Sequence, residues 1–171
     1  THQPFHWFAE FYEIVHWKGG FDVIIGNPPY VEYSKVKKDY TIKNYIKEKF
    51  QTYKYRFDSY IYFIEKAISI TKNLGYASFI TPELWLKLEN CDLLRRHIAD
   101  NISLNIIRFY GENVFVKAVV NTIVSILEKK KQQENINIET TSLIWTLPAM
   151  QWKARPDLSI EYRITPEKKL I

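Results

Sequence analysis

The sequence predicts an α/β fold in which parallel strands alternate with helices and the sheet ends in an antiparallel hairpin. Three observations predict it. Short β-branched runs, Val23-Ile24-Ile25 and "YASFI", alternate with stretches of helical period. The runs "SLNIIRFY" and "VVNTIVSILEK" are joined by "GENVFVKA", a connection too short for a crossover helix, so those two strands pair as a hairpin. No stretch of 18 apolar residues exists, and 46% hydrophobic content over 171 residues suffices for one domain with a core.

In chain order, residues 4–17 are aromatic-rich, with Phe8, Phe11, Tyr12 and Val15 at helical spacing as core positions, and Gly19-Gly20 ends the helix. The run at 21–26 reads as a fully buried strand. A helix starts with Asp58 as N-cap, puts Ile61, Ile64, Ala67, Ile68 and Thr71 on one face, and closes with Gly75 as its C′ glycine. "YASFI" is a second buried strand, and Thr81-Pro82-Glu83 starts another helix with Pro at its first position. Strand, helix and strand make a right-handed parallel βαβ unit. A helix at 92–100 precedes the hairpin, Lys129 to Gln133 form a turn, and "INIETTSLIW" is one further strand. Beyond Trp145 the pattern fades, broken by Pro148, Pro156 and Pro166.

Composition narrows the function. Cys91 is the only cysteine, which excludes a disulfide framework and a cysteine-based zinc site and fits a reducing, cytoplasmic setting. His2, His6, His16 and His97 lack metal-ligand spacing. The chain starts at Thr1 without a charged n-region, as expected for a soluble piece of a longer protein with no membrane segment. Residues 31–57 hold eight Lys and Arg against three acids, a net +5 that equals the charge of the whole chain. Tyr33, Tyr40, Tyr45, Tyr53 and Tyr55 are interleaved with those bases. That mixture suits phosphates neutralised by lysine and bases packed on rings, with Lys35, Lys37 and Lys38 as leading contacts; the plain alternative is a solvated, partly helical insertion.

The stretch "FDVIIGNPPY" is the candidate site. Pro28 and Pro29 cannot donate to a sheet ladder, and Pro28 keeps Asn27 out of the helical region, so the chain leaves the strand as a stiff extended loop. Asn27 and Tyr30 are thereby held at a strand's carboxyl end, where α/β sheets bind ligands. On composition alone the stretch reads first as a proline-rich turn closing a strand.

With these neighbours, "NPPY" resembles the adenine-specific DNA methyltransferases, in particular type II restriction-modification enzymes that fuse methylation to cleavage. "DSYIYFIEKAI", "GYASFITPELWL", "LLRRHIADN" and "VFVKAVVNTIVSILEK" resemble that family's later motifs in its order. The resemblance implies the C-terminal half of a class I S-adenosylmethionine-dependent methyltransferase sheet, Rossmann-like, acting on double-stranded DNA without a metal. It implies that Asn27 and the Pro28 carbonyl accept the two hydrogens of an adenine amine, freeing its lone pair, and that Asn27 also borders the cofactor. It makes Tyr30 one wall for a flipped base. It puts Phe115, by composition alone a core residue, at the second wall.

The family also needs a Gly-rich turn and an acidic residue for the cofactor. The five glycines never form G-x-G, and no strand followed by an acid precedes Phe21. The expectation is therefore a partial catalytic domain at 1–145 containing the basic insertion 31–57, and a tail at 146–171 leading toward a missing target-recognition region. Alone, such a piece is expected to be inactive. Two other readings stay open: a protein-glutamine methyltransferase, whose substrate amide also presents two hydrogens, and a non-catalytic DNA-binding module.

Overall fold

The protein is described here by a computed structural model covering residues 7–32, 40–55, 58–111, 114 and 120–161. Its helices are α1 (Trp7–Glu10), α2 (Tyr40–Lys49), α3 (Tyr60–Ile70), α4 (Asp92–Asn101) and α5 (Ala149–Lys153). Its strands are β1 (Phe21–Gly26), β2 (Thr71–Pro82), β3 (Ser103–Gly111), β4 (Thr122–Glu128), β5 (Asn135–Glu139) and β6 (Ile144–Pro148). They form one sheet in the order β1-β2-β4-β3-β5-β6. β1 and β2 are parallel across α3, and β3 and β4 are the expected antiparallel hairpin, with β4 inserted between β2 and β3. No helix among the described residues is long and apolar enough to cross a membrane.

Helix α3 carries the core. Tyr60, Ile61, Ile64 and Ile68 are at most 1% exposed, and the helix packs on β2 and on α4, which in turn packs on β3. Losing any one of these aliphatic side chains would cost about 2–5 kcal/mol.

Several elements depart from the sequence expectation for local reasons. Ser59, not Asp58, occupies the N-cap position of α3. The helix stops at Ile70, where Thr71 turns extended and its hydroxyl donates back to the Ala67 carbonyl at 2.7 Å. Gly75 lies inside β2 and serves close approach instead of a helix end. A Cβ there would sit 2.8 Å from the Phe21 carbonyl oxygen, at the point where the β1–β2 register shifts. After Pro82 the chain makes only a 3-10 turn, Glu83–Leu86, and the Thr81 hydroxyl accepts from Trp85 Nε1 at 3.1 Å.

The aromatic N-terminal stretch is a short α1 followed by a π-turn at Glu13–Trp17, ended by Gly19 and Gly20 as expected. Tyr12 is 52% exposed and is therefore not core, whereas Phe11 meets Phe21 edge to face at 5.2 Å. β1 is not fully buried either: it is an edge strand, and Val23 and Ile25 are 54% and 80% exposed. The single strand expected at 136–145 is two strands. Thr140 reverses the chain, its hydroxyl accepting from the N–H groups of Ser142 and Leu143.

Residues 149–160 fold back on the core. Trp152, Leu158 and Ile160 are buried. Arg95, fully buried, gathers this segment by donating to the carbonyls of Asp157, Trp85 and Leu88 at 2.8–2.9 Å.

Candidate active site

β1 ends at Gly26, beside Phe79 of β2, and the next four residues form the site loop. A Cβ at position 26 would meet the Phe79 ring at 2.9 Å, so glycine lets the loop leave against a buried aromatic. Pro28 is buried, whereas Asn27 on one side of it and Pro29 on the other are exposed. The asparagine side chain thus stands in the open on a backbone fixed by its neighbour.

Tyr30 closes the loop. Its hydroxyl donates to the Ile80 carbonyl at 3.0 Å, near the carboxyl end of β2, and its ring meets Tyr60 edge to face at 6.2 Å. Burial pushes its phenol above the usual value, so it stays a neutral donor. Ser59 at the start of α3 holds both sides of Tyr30: its hydroxyl donates to the Pro29 carbonyl and accepts from the Val31 N–H at 3.0 Å. A bridge between Glu32 and Asp58 continues that contact. Burial, with Glu32 second, raises the Asp58 carboxyl above the ordinary range.

A cleft of about 500 Å³ opens beside the loop, lined mainly by apolar groups of β1 and α3, among them Ile24, Gly26, Asn27, Pro28, Phe63, Lys66 and Phe79. Burial lowers the Lys66 ammonium below its usual value. Among the described residues the lining is mainly apolar and bordered by Asn27, and no acidic side chain is part of it. An apolar cleft of this size bordered by Asn27 fits the apolar part of a cofactor such as S-adenosylmethionine.

Two further anchors surround the site. Glu65, buried on α3, accepts from the backbone N–H groups of Gln51 and Thr52 and from the Thr52 hydroxyl at 2.6–3.0 Å, tying the end of the basic insertion to the core. Asn121 Nδ2 donates to Glu83 Oε1 at 3.3 Å while the Glu83 N–H donates to the Asn121 carbonyl at 3.0 Å. Because Thr122 pairs with both Pro82 and Gly111, this clasp puts the ends of the β3–β4 loop on the same sheet edge as Asn27. Phe115 in that loop lies outside the described residues, as do Lys35, Lys37 and Lys38.

The family model described as Eco57I restriction-modification methylase matches residues 1–115. The chain belongs to this family. The Escherichia coli type II restriction enzyme and methyltransferase RM.Eco57I is 34% identical over 113 residues, 64% of this chain and 11% of that protein. A Methanocaldococcus jannaschii relative bearing the same type II name is 31% identical over 165 residues, 94% of this chain and 13% of its own length. The chain therefore spans only a small fraction of these relatives' length. Among solved structures, a Listeria monocytogenes class I S-adenosylmethionine-dependent methyltransferase superposes with TM-score 0.59 at 22% identity, over 72% of this chain and 38% of that one. The type IIG restriction endonuclease BpuSI superposes at 0.54, also at 22% identity, over 80% of this chain and 16% of that one. These likenesses are of fold: the α/β sheet of an Eco57I-family chain is that of the class I methyltransferases.

Sequence reasoning missed Ser59, Glu65 and the Glu83–Asn121 clasp. Only Ser59 left a signal, a hydroxyl residue at a helix start, and its letters point to a cap. Glu65 reads as one polar position among apolar ones, and its partners are too distant in sequence to suggest it.

Proposed function

We propose that this chain is the target-base half of a DNA adenine-N6 methyltransferase belonging to a restriction-modification system. The observation that carries the proposal is the loop at the end of β1: an exposed asparagine beside a buried proline, fixed at the carboxyl edge of a class I sheet in an Eco57I-family chain. S-adenosylmethionine, when bound, supplies an electrophilic methyl group. The chain's own task is to prepare the amine. An adenine amine is a poor nucleophile because its lone pair is delocalised into the ring. Asn27 Oδ1 and the Pro28 carbonyl accept its two hydrogens, draw the nitrogen toward tetrahedral geometry, and free the pair. Rigid acceptors need no reorganisation during the reaction, which is the use of two consecutive prolines.

Tyr30 is one wall for the flipped base and Phe115 the other. Lys35, Lys37 and Lys38 neutralise phosphates of double-stranded DNA. The catalytic unit is assigned to residues 1–145 and the approach to a recognition region to 146–171. The packing of Trp152 and Ile160 favours counting 149–160 with the former. The sequence lacks a glycine turn and an acid for the ribose, so the chain alone is inactive and another segment completes the cofactor pocket.

The test is Asn27→Ala in the methyltransferase that carries this chain. Transfer of labelled methyl to duplex DNA is expected to fall by at least about two orders of magnitude with DNA affinity nearly unchanged, because the hydrogen bonds removed are ones that strengthen in the transition state. Near-normal turnover would refute the role of Asn27, and label arriving on protein instead of DNA would refute the substrate.

A further inference from the structure

Helix α3 begins with a serine in the capping position that does not cap. Ser59 has helical dihedrals, φ −58° and ψ −33°, and its side chain makes no bond to its own helix. A serine cap is typically worth about 1 kcal/mol, so the hydroxyl forgoes a favourable local use. It turns to the site loop instead, donating to the Pro29 carbonyl and accepting from the Val31 N–H, while the Ser59 N–H donates to the Val31 carbonyl at 3.0 Å. These three bonds grip the chain on both sides of Tyr30.

What they grip it to is rigid. The residues that follow, Tyr60, Ile61 and Ile64, are among the least exposed in the molecule. In the other direction Pro29 follows Pro28 directly, and with both φ angles fixed by rings, an error at the Pro29 carbonyl is passed on to Pro28 and Asn27 instead of being absorbed.

We infer that Ser59 is a positioning residue: through the Pro29 carbonyl and the Val31 N–H it fixes the Asn27 and Pro28 acceptors against the α3 core. It touches no reacting atom, and the inference rests on the reading of Asn27 given above. Displacements of about an ångström cost up to about a hundredfold in rate. In the methyltransferase that carries this chain, Ser59→Ala should therefore lower kcat by about 10–100-fold, with KM for DNA and for S-adenosylmethionine changed less than about twofold. Ser59→Thr keeps the hydroxyl and should recover most of the loss.

Asn27→Ala, assayed beside them, separates the two levels. Wild-type kcat in Ser59→Ala together with an inactive Asn27→Ala overturns the Ser59 inference alone, and so does a folded Ser59→Thr as slow as Ser59→Ala. Normal turnover in Asn27→Ala removes the reading beneath the inference, and the inference with it. If Ser59→Ala melts too low to assay, Ser59→Cys replaces it, since a thiol donates and accepts only weakly. A kcat well below that of Ser59→Thr then supports the role, and a wild-type kcat overturns it.

Discussion

Asp58 lies between its bridge partner, the exposed Glu32, and the start of a buried helix, and burial and then Glu32 raise its carboxyl above the usual range. A raised carboxyl means that the folded chain keeps a proton the unfolded chain has already lost. The contribution of Asp58 to stability is therefore greatest at acid pH and declines as pH climbs from the ordinary carboxylate value through the raised one. At neutral pH the ionised group is a standing cost. Asp58→Asn should raise the melting temperature at pH 7, by less than about 1 kcal/mol of stability because the group is partly solvated. The gain should vanish below the ordinary carboxylate value; a melting curve at each pH checks both. The place of Asn27, the two prolines and Tyr30 just past the end of β1 was legible, because prolines cannot donate to a strand ladder. Single letters misled where one residue type has two common uses. Asp58 read as the cap, and whether it or the neighbouring Ser59 takes that position, or turns to a loop thirty residues earlier, depends on a tertiary contact.

At the level of elements, the basic insertion is held at its end, and its helix α2 is largely exposed. Glu65 fixes Gln51 and Thr52, and Lys54 pairs with Asp92 Oδ1 at 2.6 Å, joining the insertion to α3 and to the start of α4. Between these anchors and the site loop, α2 has no buried residue, and Tyr40 and Tyr45 are 71% and 59% exposed. A face of exposed tyrosine and lysine fits the proposed DNA contact. Reversing the charges of Lys35, Lys37 and Lys38 together should weaken binding for all sequences. The slope of log affinity against log salt should become shallower by about 0.9 for each phosphate no longer neutralised. Unchanged affinity at low salt would make the insertion an ordinary solvated surface. Element order, the parallel β1–β2 pair and the β3–β4 hairpin were legible because periodicity and connection length decide them. Ends were not. The helix stops at Ile70 and β2 runs from Thr71 through Gly75 because pairing of β2 with β1 and β4 outweighs a local glycine signal. Helix α5 escaped notice because its place depends on tertiary packing: Ala149 and Trp152 are buried, and Trp152 Nε1 donates to the Leu158 carbonyl.

The whole molecule has an unbalanced sheet. Its β1 edge shows Val23 and Ile25 on one face, 54% and 80% exposed, although a β-branched run of this kind normally lies under cover. Flat apolar edge strands invite pairing with another chain, and soluble proteins usually place a charge there. Under the proposal above, a segment carrying the rest of the cofactor pocket covers this edge, so the same substitution should have opposite effects in two contexts. In the isolated chain, Ile25→Lys changes an exposed position and should alter stability by no more than about 0.5 kcal/mol. It should also lower self-association in sedimentation, because the edge no longer accepts a strand. In the longer methyltransferase Ile25 would be buried, and a lysine there would need several kcal/mol to desolvate. The melting temperature and DNA methylation should then both fall sharply. Equal tolerance in both contexts would mean that β1 remains an edge in the longer protein, and that the cofactor pocket is completed from elsewhere.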